Sequence, residues 1–338
     1  MKSMEVKDKF FCYRVEEIDG KFETGVKEMD INDLPEGNVL VEVKYSALNY
    51  KDALSSSGHR GITRKFPHTP GIDAAGIVVK SDSDKIAIGT EVIVTSYDLG
   101  MNTHGGFSEY IRVPDSWVVP LPDGLSLRDA MIIGTAGLTA GMALYKMEEG
   151  GQTPAMGPIL VTGATGGVGS MACSLLISRG YEVIASTGSL DLTESLLKSG
   201  IKEVIDRKEL QKDSGKPVLR PRWAGVVDTI GGITLVESIK QTGRNGNVAV
   251  CGLVESADLN FTVYPLILNG INILGIESAE FPMGKRREIW TQLASDWKAG
   301  LCYVSVKEIG LKSIQQQIAL MLEGKTSGKV LVNINLFG

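Results

Sequence analysis

Residues Ile159–Gly169 read I-L-V-T-G-A-T-G-G-V-G, an apolar run that ends in a glycine-rich turn. Ser170–Gly180 then has the composition of a helix, and Tyr181–Thr187 is a second apolar run. This order of strand, turn, helix and strand is typical of a dinucleotide site. Gly166 lets the backbone approach a pyrophosphate, and Gly169 lets the helix pack closely on its strand. The helix N-terminus would then present free N–H groups to the phosphates.

The end of the second apolar run indicates which dinucleotide binds. An NAD site places an acidic residue there, which binds the ribose 2′-hydroxyl. This chain has no carboxylate at that point, where it reads Ser186, Thr187, Gly188 and Ser189. Small hydroxyl side chains leave room for a 2′-phosphate and can donate hydrogen bonds to it. Arg207 is a candidate countercharge, although a solvated surface arginine is an equally good interpretation, and Asp191 stays open as a ribose ligand. The pattern favours NADPH over NADH.

Composition limits the classes of partner. A length of 338 residues predicts about two domains, and 43% apolar residues are enough for a substantial core. The net charge of −5 argues against nucleic acid or an anionic membrane as a partner. We find no apolar run near the roughly 18 residues that span a bilayer, and residues 1–10 lack the apolar core of a signal peptide. A cytoplasmic location is therefore expected.

The first part of the chain is rich in strand signals. Residues 1–125 contain short β-branched runs between Gly, Pro, Asp and Asn clusters, which predicts a barrel-like or sandwich domain. These runs include Val39–Tyr45, Ala75–Val79, Glu91–Thr95 and Tyr110–Val113. The small and apolar periodicity of Gly134–Leu144 predicts a buried helix.

The second part alternates strands with helices. Between Pro158 and about Ile276 six apolar runs predict one doubly wound nucleotide-binding domain. The runs are Ile159–Thr162, Glu182–Ser186, Glu203–Ile205, Gly225–Thr229, Asn247–Gly252 and Asn272–Gly275. A tail with a helix near Ile314–Glu323 and a strand at Lys329–Asn335 is able to return to the first domain.

Several segments together resemble one family. The chain is similar to the medium-chain dehydrogenases/reductases, in their zinc-free quinone-oxidoreductase branch, over nearly its whole length. The sequences of its motifs are most similar to those of the subgroup that contains bacterial NADPH-dependent acryloyl-CoA reductases. Besides the glycine turn, the segments that carry the resemblance are Ser46–Asp52, Phe66–Gly76, Gly105–Tyr110, Gly134–Ala140, Val226–Gly232 and Pro265–Ser278.

The resemblance implies an α/β fold with a Rossmann doubly wound parallel sheet and a GroES-like β-barrel domain. The GroES-like catalytic domain would comprise residues 1–125 and 300–338, and the Rossmann NADP-binding domain residues 126–299. The family also implies an active site in the cleft between the domains, and a homodimer.

The residues at the family's catalytic zinc positions argue against a metal. Zinc-dependent members hold the metal with a Cys in the first motif and a His-Glu pair after the Pro-Gly. The matching positions here carry Asn49, Ile72 and Asp73. Zinc prefers at least three thiolate, imidazole or carboxylate ligands, which an amide and one carboxylate do not supply. We therefore expect no metal.

Site residues follow from the family match, position by position. Tyr50 and Asn49 are the catalytic candidates, and Tyr50 also matches a cofactor-contacting tyrosine. A core tyrosine for Tyr50, and a turn cap for Asn49 or Asp52, are the competing interpretations. The cofactor positions, beyond those near the 2′-phosphate, are Thr165, Gly166, Gly167, Val168, Gly169, Leu253, Ile267, Ser278 and Lys325.

Hydride delivery to an already electrophilic carbon is the chemistry best suited to NADPH without a Lewis acid. A conjugated carbonyl offers such a carbon, because its negative charge moves to oxygen, where hydrogen-bond donors stabilise it. The leading prediction is reduction of acryloyl-CoA or a similar short enoyl-CoA. Arg64 is the substrate-binding candidate, within a basic stretch that also contains His59, Arg60, Lys65 and His68 and that either binds CoA phosphates or is solvated.

Two alternatives remain open from the sequence. One is quinone reduction on the same scaffold, for which no CoA phosphates need basic partners. The other is a non-catalytic NADPH-binding protein. In each case the partner is a small molecule, such as an enoyl-CoA, an enone or a quinone.

Overall fold

The computed structural model describes residues 6–298 and 304–336. Within them the chain forms two compact units. The first contains residues 6–135, 279–294 and 305–336, and the second contains residues 136–278, 295–298 and 304. The domain limits predicted from the sequence, at 125/126 and 299/300, stay predictions.

Strands and helices are numbered in chain order. The strands are β1 (Lys9–Ile18), β2 (Lys21–Asp30), β3 (Val39–Leu48), β4 (Asp73–Ser81), β5 (Glu91–Thr95), β6 (Tyr110–Val113), β7 (Val118–Pro120), β8 (Ile159–Thr162), β9 (Val183–Thr187), β10 (Glu203–Asp206), β11 (Trp223–Asp228), β12 (Thr242–Val250), β13 (Asn272–Gly275), β14 (Val306–Ile309) and β15 (Lys329–Asn333). The helices are α1 (Tyr50–Ser56), α2 (Leu127–Glu149), α3 (Gly167–Ser178), α4 (Thr193–Lys198), α5 (Gly232–Lys240), α6 (Tyr264–Asn269), α7 (Met283–Ala294) and α8 (Ile314–Leu322).

A seven-stranded sheet organises the first unit. Its order is β14-β15-β3-β4-β5-β7, with β6 also paired to β3, and β1 and β2 form a separate antiparallel hairpin. The C-terminal strand β15 pairs antiparallel with β3, so that residues near both ends of the chain share this sheet. The inward side chains form an apolar core that includes Val41, Val92, Phe107 and Val332.

A six-stranded parallel sheet organises the second unit. Its order is β10-β9-β8-β11-β12-β13, which is the 3-2-1-4-5-6 order of a doubly wound nucleotide-binding fold. Strands β8 and β11 are buried along their whole length. Because helices cover both faces of such a sheet, its central strands read in sequence as unbroken apolar runs. That pattern is why the six strands were recognisable in sequence, within a few residues at their ends.

Helix α2 is more apolar than the sequence analysis predicted. By length and composition it is long enough to cross a membrane, although the sequence offered no apolar run near that length. Of its most apolar window, 78% is buried inside the protein. Core helices meet the same test of length and hydropathy, so this helix is weak evidence for a membrane span.

Helix α2 is also broken at Gly134, which has φ 49° and ψ −158°. An added Cβ at this position would lie 2.5 Å from Oδ2 of Asp73 and 3.1 Å from Nζ of Lys329. Both the backbone conformation and the space therefore require glycine. The kink lets buried polar side chains approach the helix backbone.

Gly134→Ala is expected to lower the free energy of unfolding by about 3 kcal/mol, because the side chain is both strained and overpacked. Gly284→Ala is the matched control, since Gly284 is exposed in α7 and has open space around its Cβ position. The control should be neutral or stabilising by about 0.5 kcal/mol. Urea unfolding measures both, and equal stabilities for the two variants would contradict the prediction.

Candidate active site

The glycine turn of the second unit joins β8 to α3. Gly163 has φ 61°, and the N–H of Gly166 donates to its carbonyl oxygen at 2.9 Å. A Cβ on Gly169 would collide with that same carbonyl, so only glycine lets the helix pack this closely. Gly166 is the N-cap residue of α3, and no side chain caps the helix. The first N–H groups of the helix are thus arranged to bind an anion.

The end of β9 carries the candidate 2′-phosphate residues. Thr187 is buried, with its hydroxyl 3.0 Å from that of Thr165, and it accepts a hydrogen bond from the N–H of Ser189 at 3.0 Å. A Cβ on Gly188 would lie 2.8 Å from Nε of Arg207. The Arg207 side chain therefore rests against the bare backbone of Gly188. Among the described residues it forms no ion pair, so its charge is free for a ligand.

The other cofactor candidates of the second unit differ widely in exposure. Leu253, in the loop after β12, and Ile267, in α6, are 67% and 72% exposed. Ser278 follows β13 and is half-buried. Ser186 is buried within β9, and its hydroxyl has no hydrogen-bond partner among the described residues. Direct contact of Ser186 with a cofactor stays a prediction.

Sequence reasoning missed a second polar anchor in this unit. Asp228, at the end of β11, is fully buried and accepts hydrogen bonds from Oγ1 of Thr162 at 2.7 Å and from N of Gly231 at 2.8 Å. The hydroxyl of Thr229 donates to the carbonyl of Thr162 at 2.9 Å. Desolvation by burial raises the pKa of Asp228. These bonds tie the ends of β8 and β11 together beside the glycine turn. The sequence predicted the strand that contains Asp228 but gave this side chain no role.

In the first unit, five side chains form what we term the polar cluster: Asn49, Asp52, Asp73, Thr135 and Lys329. Both carboxyls are fully buried. Asp73 accepts hydrogen bonds from Nδ2 of Asn49 at 2.8 Å, and from N and Oγ1 of Thr135 at 2.9 and 2.5 Å. Lys329 donates from Nζ to Oδ1 of Asn49 at 3.3 Å. The cluster joins α1, β4, α2 and β15, whose residues are far apart in the sequence.

Asp52 fastens the N-terminus of α1. Its Oδ2 accepts from the backbone N of Asn49 at 2.8 Å, and its Oδ1 accepts from the N–H groups of Gly71 and Ile72 at 3.1 and 2.9 Å. Burial raises the pKa of Asp52 to about 7, with a smaller contribution from the nearby charge of Asp73, while the N–H donors oppose that rise. The Asn49 turn is thereby held on the turn that precedes β4.

The two catalytic candidates differ in availability. Both ends of the Asn49 amide are occupied within the polar cluster, because Nδ2 donates to Asp73 and Oδ1 accepts from Lys329. Nδ2 also donates to the carbonyl of Ala47 at 3.2 Å. Tyr50 begins α1, is 45% exposed, and its hydroxyl has no hydrogen-bond partner among the described residues. The Tyr50 hydroxyl is thus free to donate to a ligand, whereas the Asn49 amide is occupied. Direct contact of Asn49 with substrate stays a prediction.

The basic stretch of the first unit lies at its surface except for His68, which is 2% exposed and whose pKa burial lowers to about 4. Arg64 is exposed, as is Lys65. Arg60 is already used: it donates to Glu17 at 2.6 Å, and its guanidinium lies over the ring of Phe66 at 5.2 Å. Lys325, in the loop after α8, pairs with Glu323 at 2.7 Å and is mostly exposed.

The donor set at the family's zinc positions does not fit zinc. Asn49 directs an N–H at Asp73, Ile72 is apolar and buried, and Asp73 is the single carboxylate of the three. Within the described part of the chain, no group of three or more His, Cys, Asp or Glu is arranged to hold a metal. The expected lack of a metal stays a prediction, and no step below depends on one.

Comparison with known proteins identifies the family. Residues 35–123 match the alcohol dehydrogenase GroES-like domain, and residues 167–296 match the zinc-binding dehydrogenase family. YhfP of Bacillus subtilis, which carries a provisional quinone oxidoreductase name, is 42% identical over 91% of this chain and 94% of its own. The acrylyl-CoA reductase AcuI of Ruegeria pomeroyi is 39% identical over 95% of this chain and 97% of its own.

Solved structures give the same result. The yhdH oxidoreductase of Salmonella enterica, in complex with NADP, has a TM-score of 0.93 and 37% identity over 96% of this chain and all of its own. The chain belongs to the medium-chain dehydrogenase/reductase family. Yet YhfP, with the same TM-score of 0.93 and 40% identity over 97% of this chain and all of its own, was crystallised with NAD bound.

Family membership confirms the resemblance seen in the sequence. It also confirms the fold class of a medium-chain dehydrogenase/reductase, a GroES-like domain with a Rossmann parallel sheet. The site residues carried over from the family stay predictions, because none of these comparisons tests them singly.

The raised pKa of Asp52 predicts a pH-dependent stability. The folded state holds this proton more tightly than the unfolded chain, whose carboxyl has the ordinary pKa of 3.8. The stabilising contribution is therefore fully present below pH 3.8 and is lost as the pH rises through about 7. Asp52 therefore contributes a loss of up to about 1.4 kcal/mol of unfolding free energy per pH unit in this window. His68 and His104, whose pKa burial lowers to about 4, contribute slopes of the opposite sign, so the effect of Asp52 is the difference between the wild type and a variant that lacks this carboxyl.

The Asp52→Asn variant has no carboxyl at this position, so the contribution of Asp52 to the pH dependence of the unfolding free energy should disappear. The lost hydrogen bonds lower its stability at every pH. Urea unfolding between about pH 4 and pH 7 measures both slopes. Asp258→Asn, which removes an exposed carboxylate, is the control and should keep the wild-type slope. Parallel curves for wild type and Asp52→Asn would show that Asp52 does not bind the proton.

Proposed function

We propose that this protein is an NADPH-dependent reductase that transfers hydride to the β-carbon of an α,β-unsaturated carbonyl, with acryloyl-CoA or a similar short enoyl-CoA as substrate. The observation that carries the proposal is the unpaired Arg207 resting against Gly188 at the end of β9, in a fold whose relatives are reductases. This guanidinium supports a cofactor with a 2′-phosphate, which is the cofactor that the NADP-bound relative holds.

The cofactor is assigned residue by residue. Backbone N–H groups at the start of α3 bind the pyrophosphate, and Thr165, Gly166, Gly167, Val168 and Gly169 supply that turn. Arg207 and the hydroxyls near Ser189 bind the 2′-phosphate, because guanidinium pairs well with phosphate. Leu253, Ile267, Ser278 and Lys325 remain proposed contacts on the strength of the family match.

Tyr50 carries the proposed catalytic role. When bound, NADPH supplies the hydride. With hydride added at the β-carbon, negative charge would move to the carbonyl oxygen, to which the free Tyr50 hydroxyl would donate a hydrogen bond. The enolate would then take a proton at its α-carbon from solvent or a nearby hydroxyl. A conjugated carbonyl needs no metal for this step, because its β-carbon is already electrophilic.

Arg64 supports a CoA thioester over a quinone. It is exposed and forms no ion pair among the described residues, and Lys65 beside it is equally free. Two such cations suit the phosphates of CoA. The acrylyl-CoA reductase name of the Ruegeria relative favours the same substrate class. The name of YhfP favours the alternative, a quinone.

The remaining assignments rest on the family and on composition. We propose a homodimer and a cytoplasmic location, with no nucleic acid or membrane partner. The acidic net charge of −5 supports the lack of these two partners.

A substrate panel tests the proposed reaction. NADPH oxidation should proceed with a kcat/KM about 100-fold higher for acryloyl-CoA than for benzoquinone, since only the thioester engages basic side chains. Crotonyl-CoA should fall between them or equal acryloyl-CoA. A higher kcat/KM for benzoquinone would establish the quinone alternative. NADPH binding without turnover of any enone, enoyl-CoA or quinone would support a non-catalytic protein.

Arg207→Ala tests the cofactor assignment. Loss of a charge-assisted hydrogen bond should raise the Kd of NADPH about tenfold to 100-fold and leave that of NADH within about twofold. Arg222→Ala is the control, since Arg222 pairs with Glu203 and Glu209 at the surface of the same unit and should bind both cofactors normally. Isothermal titration measures the six constants of the wild type and the two variants, and equal losses for NADPH and NADH in Arg207→Ala would remove Arg207 from the phosphate site.

A further inference from the structure

Lys329 is a buried lysine without a direct carboxylate partner. It begins β15 and is 2% exposed. Its backbone N–H donates to the carbonyl of Ser305 at 2.8 Å. Among the described residues, its ammonium reaches only the amide oxygen of Asn49, at 3.3 Å. Burying a charge in this way is costly unless a nearby opposite charge compensates.

Two buried carboxyls provide that compensation at longer range. Burial lowers the pKa of Lys329, and the nearby charges of Asp73 and Asp52 oppose that shift in part. Neither carboxylate forms an ion pair with Lys329 among the described residues. The cation therefore acts on the carboxylates through space, and on the chain through the Asn49 amide.

That arrangement fixes the orientation of Asn49. Its Oδ1 faces the cation of Lys329, and its Nδ2 faces the anion of Asp73 at 2.8 Å. Rotating the amide by 180° would place its N–H groups against the ammonium and its oxygen against the carboxylate. Both contacts would then be repulsive, so the local field permits one orientation.

Asn49 in turn determines where α1 begins. It is the N-cap residue, and its backbone N donates to Oδ2 of Asp52 at 2.8 Å. Tyr50 is the next residue, at the first position of the helix. A fixed orientation of Asn49 therefore also fixes the position of the backbone at Tyr50, the next residue.

Lys240 shows what a purely structural buried lysine looks like in this chain. It is 7% exposed and pairs directly with Glu237 at 2.7 Å and Asp213 at 3.1 Å. Its charge is neutralised by contact, as is usual inside proteins. Within the described residues the Lys329 ammonium instead donates to a neutral amide, and this contact orients Asn49.

We propose that Lys329 is a positioning residue for the reduction: through Asn49 it fixes the Tyr50 turn in its working position. The proposal rests on the function proposed above for its effect on turnover. The effect on the turn itself does not depend on that function and is measurable separately.

Lys329→Met, which keeps length and removes charge, tests the proposal. We expect kcat with acryloyl-CoA to fall about tenfold while the KM for NADPH changes less than about twofold. Amide hydrogen exchange in the peptide Ala47–Ala53, measured by mass spectrometry, should become about tenfold faster. Lys240→Met is the matched control: its stability should fall, with wild-type kcat and wild-type exchange in Ala47–Ala53.

A double-mutant cycle tests the link through Asn49. In an Asn49→Ala background, Lys329→Met should lower kcat by less than about twofold, because the contact is already lost. An undiminished tenfold loss there would overturn the proposal, as would wild-type exchange in Ala47–Ala53 of the single variant. If Lys329→Met does not fold, Asn49→Ala alone must reproduce both effects, and its failure to do so equally overturns the proposal. A wild type that turns over no substrate refutes the proposed function, while the exchange result still judges Lys329.

Discussion

The Asp73 carboxylate is the interaction on which the first unit's polar cluster depends. It accepts hydrogen bonds from Asn49 and from both the backbone and the hydroxyl of Thr135. Since Asp73 begins β4, one buried anion ties a sheet strand to the start of α1 and to the kink of α2. Gly134 has no side chain because the carboxylate and the Lys329 ammonium occupy the space beside it.

The second unit has a similar buried carboxylate, at the carboxyl ends of the two central strands of its parallel sheet. Asp228 is buried at the end of β11 and binds Thr162 at the end of β8 as well as the N–H of Gly231 before α5. The loops that follow parallel strands bind ligands in such folds. A fixed carboxylate there holds the loops in one arrangement before any ligand arrives, which lowers the ordering cost of binding.

The sequence predicted the parts of the structure that have a local cause. β5, β6, β8 and β13 have the predicted bounds, because each is a short apolar run between turn residues. β12 begins earlier than predicted, at Thr242, because the polar stretch T-G-R-N-G-N carries no strand signal and is held by pairing with β11. Strand β2 was missed for the same reason, because few residues of K-F-E-T-G-V-K-E-M-D are apolar. Strand β1 was also not predicted, although K-F-F-C-Y-R-V-E-E-I is rich in apolar and aromatic residues. Thr135 and Lys329 could not be found, since the Lys329–Asn49 contact spans 280 positions and leaves no local pattern.

The polar cluster also limits which chemistry the first unit can provide. Its groups are used on one another: the Asn49 amide is bound at both ends, and the Asp73 oxygens accept three donors. The Tyr50 hydroxyl, exposed and unbonded within the described residues, is the polar group next to the cluster that remains free. A hydrogen-bond donor at this position suits the enolate oxygen that would develop in the proposed reaction.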